Sequence, residues 1–113
     1  MSPKTRSVPR RKYAPIFAAL GDETRLALVA KLSRGEPSSI TDLTEGTRLS
    51  RQAVTKHLRV LQGARIVRSV RAGREKLFEL DPAQIKHVGE YAEAVSRQWD
   101  HALGRLKAFV ERE

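Results

Sequence analysis

Apolar residues recur three and four apart through most of the chain and switch to alternation once, between about residues 66 and 80. That change of period separates a helical framework from one small hairpin. From Tyr13, the residues Ile16, Phe17 and Leu20 share a helical face until Gly21 stops the turn, and Asp22 stands where a cap belongs. A second helix runs from Glu23 to Arg34, with Leu26, Val29, Ala30 and Leu32 as its apolar stripe and Gly35 and Pro37 as its stop. Ser38 or Ser39 can cap a short third helix that turns Ile40 and Leu43 inward and ends near Gly46. Ser50 can cap a fourth, reaching Ala64, after a tight turn, which is helix-turn-helix spacing. Ile66 to Arg71 and Glu75 to Leu80 read as strands flanking Ala72, Gly73 and Arg74, a hairpin with a basic tip. Asp81 and Pro82 suit the start of a last helix, along which Ile85, Val88, Ala92, Val95, Trp99, Ala102, Leu106 and Phe109 alternate threes and fours in a heptad seam. The expected fold is mainly α with a small β-hairpin: a winged helix-turn-helix of about five helices.

A terminal helix with such a seam needs a partner. A chain of 113 residues has room for one domain and little core to cover the whole length, so a symmetric homodimer is the economical answer. Val95, Trp99, Ala102, Leu106 and Phe109 are its expected contacts. Residues 1–12 carry Lys4, Arg6, Arg10, Arg11 and Lys12 among small and polar residues and read as a basic disordered tail, either simply solvated or touching nucleic acid. Residues 13–113 then form the domain, with the dimerisation helix from about residue 82.

Charge narrows the partners. There are 22 basic against 13 acidic residues, a formal net charge of +9, which favours a polyanion without choosing between DNA, RNA and lipid. No cysteine is present, so disulfides, thiolate metal sites and cysteine nucleophiles are excluded. No run approaches the roughly 20 apolar residues that span a bilayer, and no signal-peptide stretch opens the chain, so a soluble cytoplasmic protein without a membrane partner is expected.

The fourth helix carries the chemistry. At 100° per residue, Arg51, Gln52, Thr55, Lys56, Arg59 and Gln62 fall within an arc of roughly 140°, while Ala53, Val54, His57, Leu58, Val60, Leu61 and Ala64 occupy the rest. Arginine bonds guanine bidentately, glutamine bonds adenine, threonine meets a thymine methyl, and lysine is a point charge for phosphate, so the face suits the major groove of double-stranded DNA. The first turn of a recognition helix enters deepest. Arg51, Gln52 and Thr55 are therefore expected at base edges, and Ser50, Lys56 and Arg59 at the backbone. A solvated helix face would look the same in isolation; the preceding short helix and the hairpin decide for DNA. In that hairpin Arg68, Arg71, Arg74 and Lys76 surround Gly73, and Arg71 and Arg74 at the tip are the expected wing contacts. His57, on the inward side, reads as a structural histidine.

Phe17-Ala18-Ala19-Leu20-Gly21-Asp22-Glu23-Thr24-Arg25, the run from Ser50 to Leu61, and Ala64-Arg65-Ile66-Val67 with the hairpin together resemble the ArsR family of bacterial winged-helix regulators, over essentially Tyr13 to Glu113. The resemblance implies a dimer built from the first and last helices, which adds Tyr13 and Phe17 to the interface. It also implies operator binding by the fourth helix and wing, and repression relieved by a signal. The control layer departs from the thiolate metal sensors of that family, because the stretch matching their cysteines is Ile40-Thr41-Asp42-Leu43-Thr44-Glu45. Other members bind metal through the last helix, where His87, Glu90, Asp100 and His101 stand here without a matching pair at each end. No metal, no cofactor and no identifiable inducer are expected.

Rival classes fare worse. An enzyme would need a nucleophile elbow, a phosphate-cradling loop or a metalloprotease helix motif, and none occurs. A sequence-neutral nucleic-acid binder, or an adaptor using this fold for protein contacts, is the alternative; aromatics are 5% of the chain and none is expected in a basic stacking strand of the kind single-strand RNA modules need.

Overall fold

The computed structural model describes residues 10–112. Its elements in order are α1 (Arg10–Leu20), α2 (Glu23–Leu32), α3 (Ile40–Thr44), α4 (Arg51–Gly63), β1 (Val67–Ala72), β2 (Glu75–Leu80) and α5 (Pro82–Glu111). Helix α1 starts three residues before Tyr13, so Arg10, Arg11 and Lys12 form its first turn instead of belonging to a tail. Arginine and lysine are good helix formers, and an earlier start leaves their charges in water. The rest of the expected tail, residues 1–9, lies outside the described residues.

Helix starts follow local chemistry. The Asp22 carboxylate accepts from the Arg25 amide, Ser50 from Ala53, and Asp81 from Ala83 and Gln84. Of the two candidate serines, Ser39 caps α3 in a reciprocal box with Asp42. Ser38 instead pairs with β2: its amide donates to the Phe78 carbonyl at 2.9 Å and its carbonyl accepts from the Phe78 amide at 2.8 Å.

The end of α4 is closed by two hydrogen bonds, from the Ile66 amide to the Leu61 carbonyl (3.0 Å) and from the Arg65 amide to the Gln62 carbonyl (2.9 Å). This closure needs a left-handed residue after the cap, and Arg65 occupies it with φ 62°, although Gly63 stands only two residues earlier.

The core lies where α1, α2, α3 and α4 meet the base of the hairpin. Tyr13, Ile16, Ala19, Leu28, Leu32, Leu43, Val54, Leu58, Leu61, Ile66, Val67 and Phe78 are buried. Some helix faces are rotated from expectation. Leu28 and Leu32 are the buried pair of α2, whereas Leu26 is 52% exposed; Val60 also points to solvent. A stripe of apolar residues wider than the contact it faces leaves one edge in water. Lys31 fixes α2 to the end of α3, its ammonium donating to the Leu43 and Glu45 carbonyls at 3.3 and 3.0 Å.

Strands β1 and β2 pair antiparallel from Val67↔Leu80 to Ala72↔Glu75, and Gly73 makes the tip with φ 65°. Helix α5 buries none of its residues fully. Ile85, Val88 and Tyr91 pack on the core, and Tyr91 stacks tilted on Tyr13 (4.6 Å) and Phe17 (5.3 Å). Past Tyr91 the seam is uncovered: Trp99 is 63% exposed and Phe109 61%, with Val95, Leu103, Leu106 and Val110 also open. Among the described residues no helix is long and apolar enough to cross a membrane.

Candidate nucleic-acid interface

Helix α4 presents Arg51, Gln52, Thr55, Lys56 and Arg59 along one open, shallow depression. Five of the six residues expected at DNA on this helix therefore share a surface, because Val54, Leu58 and Leu61 anchor the opposite face in the core. Ser50, the sixth, holds the helix end: its hydroxyl oxygen accepts from the Ala53 amide at 3.1 Å, leaving the hydroxyl proton available. The amides of the first turn add a positive dipole at the same end.

Two of the expected base-reading side chains are already held by protein contacts. The Arg51 guanidinium donates to the Thr41 hydroxyl of α3 at 2.8 Å, which steadies it while leaving other N–H groups unused. The Thr55 hydroxyl donates to the Arg51 carbonyl at 2.8 Å, so the side chain offers a methyl and an acceptor rather than a donor. Gln52, Lys56 and Arg59 are accessible at the depression.

In the wing, Arg68 pairs with Glu79 across the strands at 2.7 Å, so its charge is compensated. Lys76 lies 5.6 Å from the centre of the Phe78 ring. Arg71 donates to the Arg74 carbonyl at 3.3 Å across the tip. Both expected wing residues are exposed there, and the Arg74 side chain makes no hydrogen bond or ion pair among the described residues.

The expected interface residues divide. Tyr13 is buried within the chain, because Tyr91, absent from the heptad reading, closes over it; it has little surface left for a partner. Phe17 is 37% exposed beside it. Val95, Trp99, Leu106 and Phe109 are exposed and Ala102 half-buried, in one line along α5. His87 contacts the Gln84 side-chain carbonyl at 3.4 Å, and no group of three or more His, Asp or Glu side chains converges among the described residues.

A contact not foreseen lies behind the recognition face. The Arg25 guanidinium donates through Nε to the Ala19 carbonyl (2.5 Å) and through Nη1 to His57 Nδ1 (3.2 Å). Asp22 Oδ2 is 3.9 Å from the same ring nitrogen. The Asp22 carboxyl is held below the usual carboxylate range, first by the hydrogen bond from the Arg25 amide, then by the nearby charges of Arg25 and His57. Spacing along the chain could not link positions 25 and 57; only the inward position of a polar ring hinted at a partner.

Residues 20–70 match the model of a helix-turn-helix domain family. The chain is 34% identical over 97 residues to an HTH-type transcriptional regulator of Mycobacterium tuberculosis, covering 86% of this chain and 87% of that protein. Its fold matches the structure of an ArsR-like transcriptional regulator from Rhodococcus sp. with a TM-score of 0.77 and 33% identity, over 100% of this chain and 99% of the other. It also matches the homodimeric winged helix-turn-helix DNA-binding domain of a possible ArsR-family regulator from Mycobacterium bovis, with a TM-score of 0.63 and 16% identity over 81% of this chain and 88% of that one. With this arrangement of helices, wing and basic face, the chain belongs to the ArsR family of winged helix-turn-helix transcriptional regulators, which bind DNA and are not enzymes.

Proposed function

We propose that the protein is a cytoplasmic homodimeric repressor that reads an imperfect palindrome and occludes a promoter. The observation that carries this reading is the shared depression of Arg51, Gln52, Thr55, Lys56 and Arg59 on a helix whose far side is locked into the core. Arg51, Gln52 and Thr55 read base edges, Ser50, Lys56 and Arg59 hold phosphates, and Arg71 and Arg74 of the wing lie along the backbone or minor groove. The domain begins with α1 at Arg10, and its last helix, from about residue 82, joins two copies through the line Val95, Trp99, Ala102, Leu106 and Phe109, with Phe17 and the edge of Tyr13 beside it. The homodimer of the Mycobacterium bovis domain supports that assembly. A two-fold dimer sets its recognition helices about 34 Å apart, one turn of the duplex.

Titration of the protein against its own upstream DNA and against a scrambled duplex of equal length, at physiological salt, tests the proposal. The expected result is preference for the upstream duplex that Arg51→Ala reduces. Equal, salt-sensitive binding to both duplexes, unchanged in preference by Arg51→Ala, would favour a sequence-neutral binder and refute base reading by this helix.

A further inference from the structure

Arg51, the first residue of α4, has one side-chain partner among the described residues, the hydroxyl of Thr41 on the preceding helix. The bond is 2.8 Å long and crosses the turn of the helix-turn-helix. It sets Arg51 apart from the other cations of the depression. Lys56 and Arg59 line the same surface with no hydrogen bond or ion pair among the described residues, as suits groups that meet phosphate as point charges.

Thr41 also differs from the threonines around it. Thr44, Thr47 and Thr55 give their hydroxyl protons to the main-chain carbonyls of Ile40, Thr44 and Arg51. Thr41 stands second in α3, so the residue four positions back, Pro37, lies outside the helix and offers no such carbonyl there. Its oxygen accepts from Arg51 Nη1 instead.

The helix that carries Thr41 is fixed at both ends. Ser39 and Asp42 close its start, Lys31 takes up the carbonyls of Leu43 and Glu45 at its end, and Leu43 is buried between them. A β-branched side chain is stiff at χ1, so the Thr41 hydroxyl keeps the position that this backbone sets. Arginine, by contrast, carries much rotamer freedom, and a bidentate contact with a base must freeze it. The Thr41 contact uses one Nη1 proton and leaves the parallel N–H pair on Nε and Nη2, a fork that fits guanine O6 and N7. Both side chains are exposed in the free chain, where water competes for the bond; a duplex seated on this face excludes that water and strengthens it.

We propose that Thr41 is a positioning residue for sequence reading: it holds the Arg51 guanidinium in its reading orientation before DNA arrives, so that base discrimination by Arg51 depends on a hydroxyl of the preceding helix. The inference rests on the reading of α4 as the base-contacting helix. The helix before a recognition helix crosses the DNA backbone, so the proton left on Thr41 can also meet a phosphate. Such a contact carries no sequence information and cancels in a ratio of affinities.

The ratio of affinities for the upstream and scrambled duplexes, at physiological salt, is the measurement. Thr41→Val removes the hydroxyl and keeps the shape; its ratio should fall about fivefold, the lower end of the roughly 5- to 150-fold that a good bidentate pair contributes. Thr41→Ser returns the hydroxyl and should bring the ratio back to within about twofold of wild type. In the Arg51→Ala background, Thr41→Val should change the ratio by less than about twofold, because no guanidinium is left to position. Thermal melting checks the fold of each variant, and Thr41→Ala, with the better helix former, replaces the valine variant if that one melts early. An unchanged ratio in Thr41→Val overturns the inference, and a raised one does so too, since Thr41 would then hold Arg51 off the duplex. An equal fall in the Arg51→Ala background overturns it by showing that Thr41 acts through something else. A wild type without preference for the upstream duplex, or with a preference that survives Arg51→Ala, removes base reading by Arg51 and this inference together. Preference lost in Arg51→Ala and kept in Thr41→Val removes the inference alone.

Discussion

Truncation of Trp99 to alanine should dissolve the dimer while leaving each domain folded. Trp99 retains 63% of its surface in the single chain, and a tryptophan presents roughly 250 Å², so roughly 160 Å² awaits a partner. Full coverage at about 25 cal/mol per Å² amounts to about 4 kcal/mol per protomer. Association converts area less efficiently than folding, so half of that figure is the working value. Two symmetric truncations then cost about 4 kcal/mol per dimer, close to a thousandfold in dissociation constant. Sedimentation equilibrium reads the constant directly, and circular dichroism with thermal melting of the monomer checks that the core survives. Arg97→Ala is the control, because its pairing with Glu93 at 3.9 Å is exposed and worth little. A Trp99→Ala protein whose dissociation constant stays within about threefold of wild type would refute the assignment of this seam to a second copy.

Three further outcomes are expected. Arg65→Gly removes the left-handed strain at the end of α4 and should raise stability by about 0.5–1 kcal/mol, after the looser unfolded chain is counted; an unchanged or lower urea midpoint would contradict it. Because the Asp22 carboxyl is lowered in the folded state, chiefly by the Arg25 amide, its contribution is complete above the ordinary carboxylate range and disappears as pH falls through the lowered value; Asp22→Asn should therefore flatten the stability profile on the acid side of about pH 4, measured by thermal melting, and an unchanged slope would count against it. Lys56→Ala should make the log–log salt slope of DNA binding shallower by about 0.9 for each phosphate the lysine neutralises and weaken all sequences alike, whereas Gln52→Ala should leave the slope in place and lose about 1–3 kcal/mol of base discrimination.

The features legible in the residue order are local ones. Asp22, Ser50 and Asp81 cap helices through amides two or three residues away, and such bonds follow from the order of residues alone. The basic face of α4 is equally legible because Val54, Leu58 and Leu61 fix its phase. The positions that differ from expectation depend on partners distant in the chain. Leu26 and Leu28 are both apolar, and only the packing of α2 against α1, α4 and β2 decides that Leu28 goes inside. Tyr13 is expected at a second copy only through the family resemblance, and nothing in the heptad pattern marks Tyr91 as the ring that covers it. The left-handed turn falls on Arg65 and not on a glycine, so the residue order does not mark it.

The pairing of Ser38 with Phe78 bears on how such a molecule can be controlled. Two hydrogen bonds fasten the segment entering α3 to the strand leaving the wing, so the reading helices and the wing move as one body. In a dimer of two such bodies the adjustable quantity is their phase along the duplex, where one base pair of shift corresponds to about 34° of rotation. A change in that phase mistunes every contact of one half-site together.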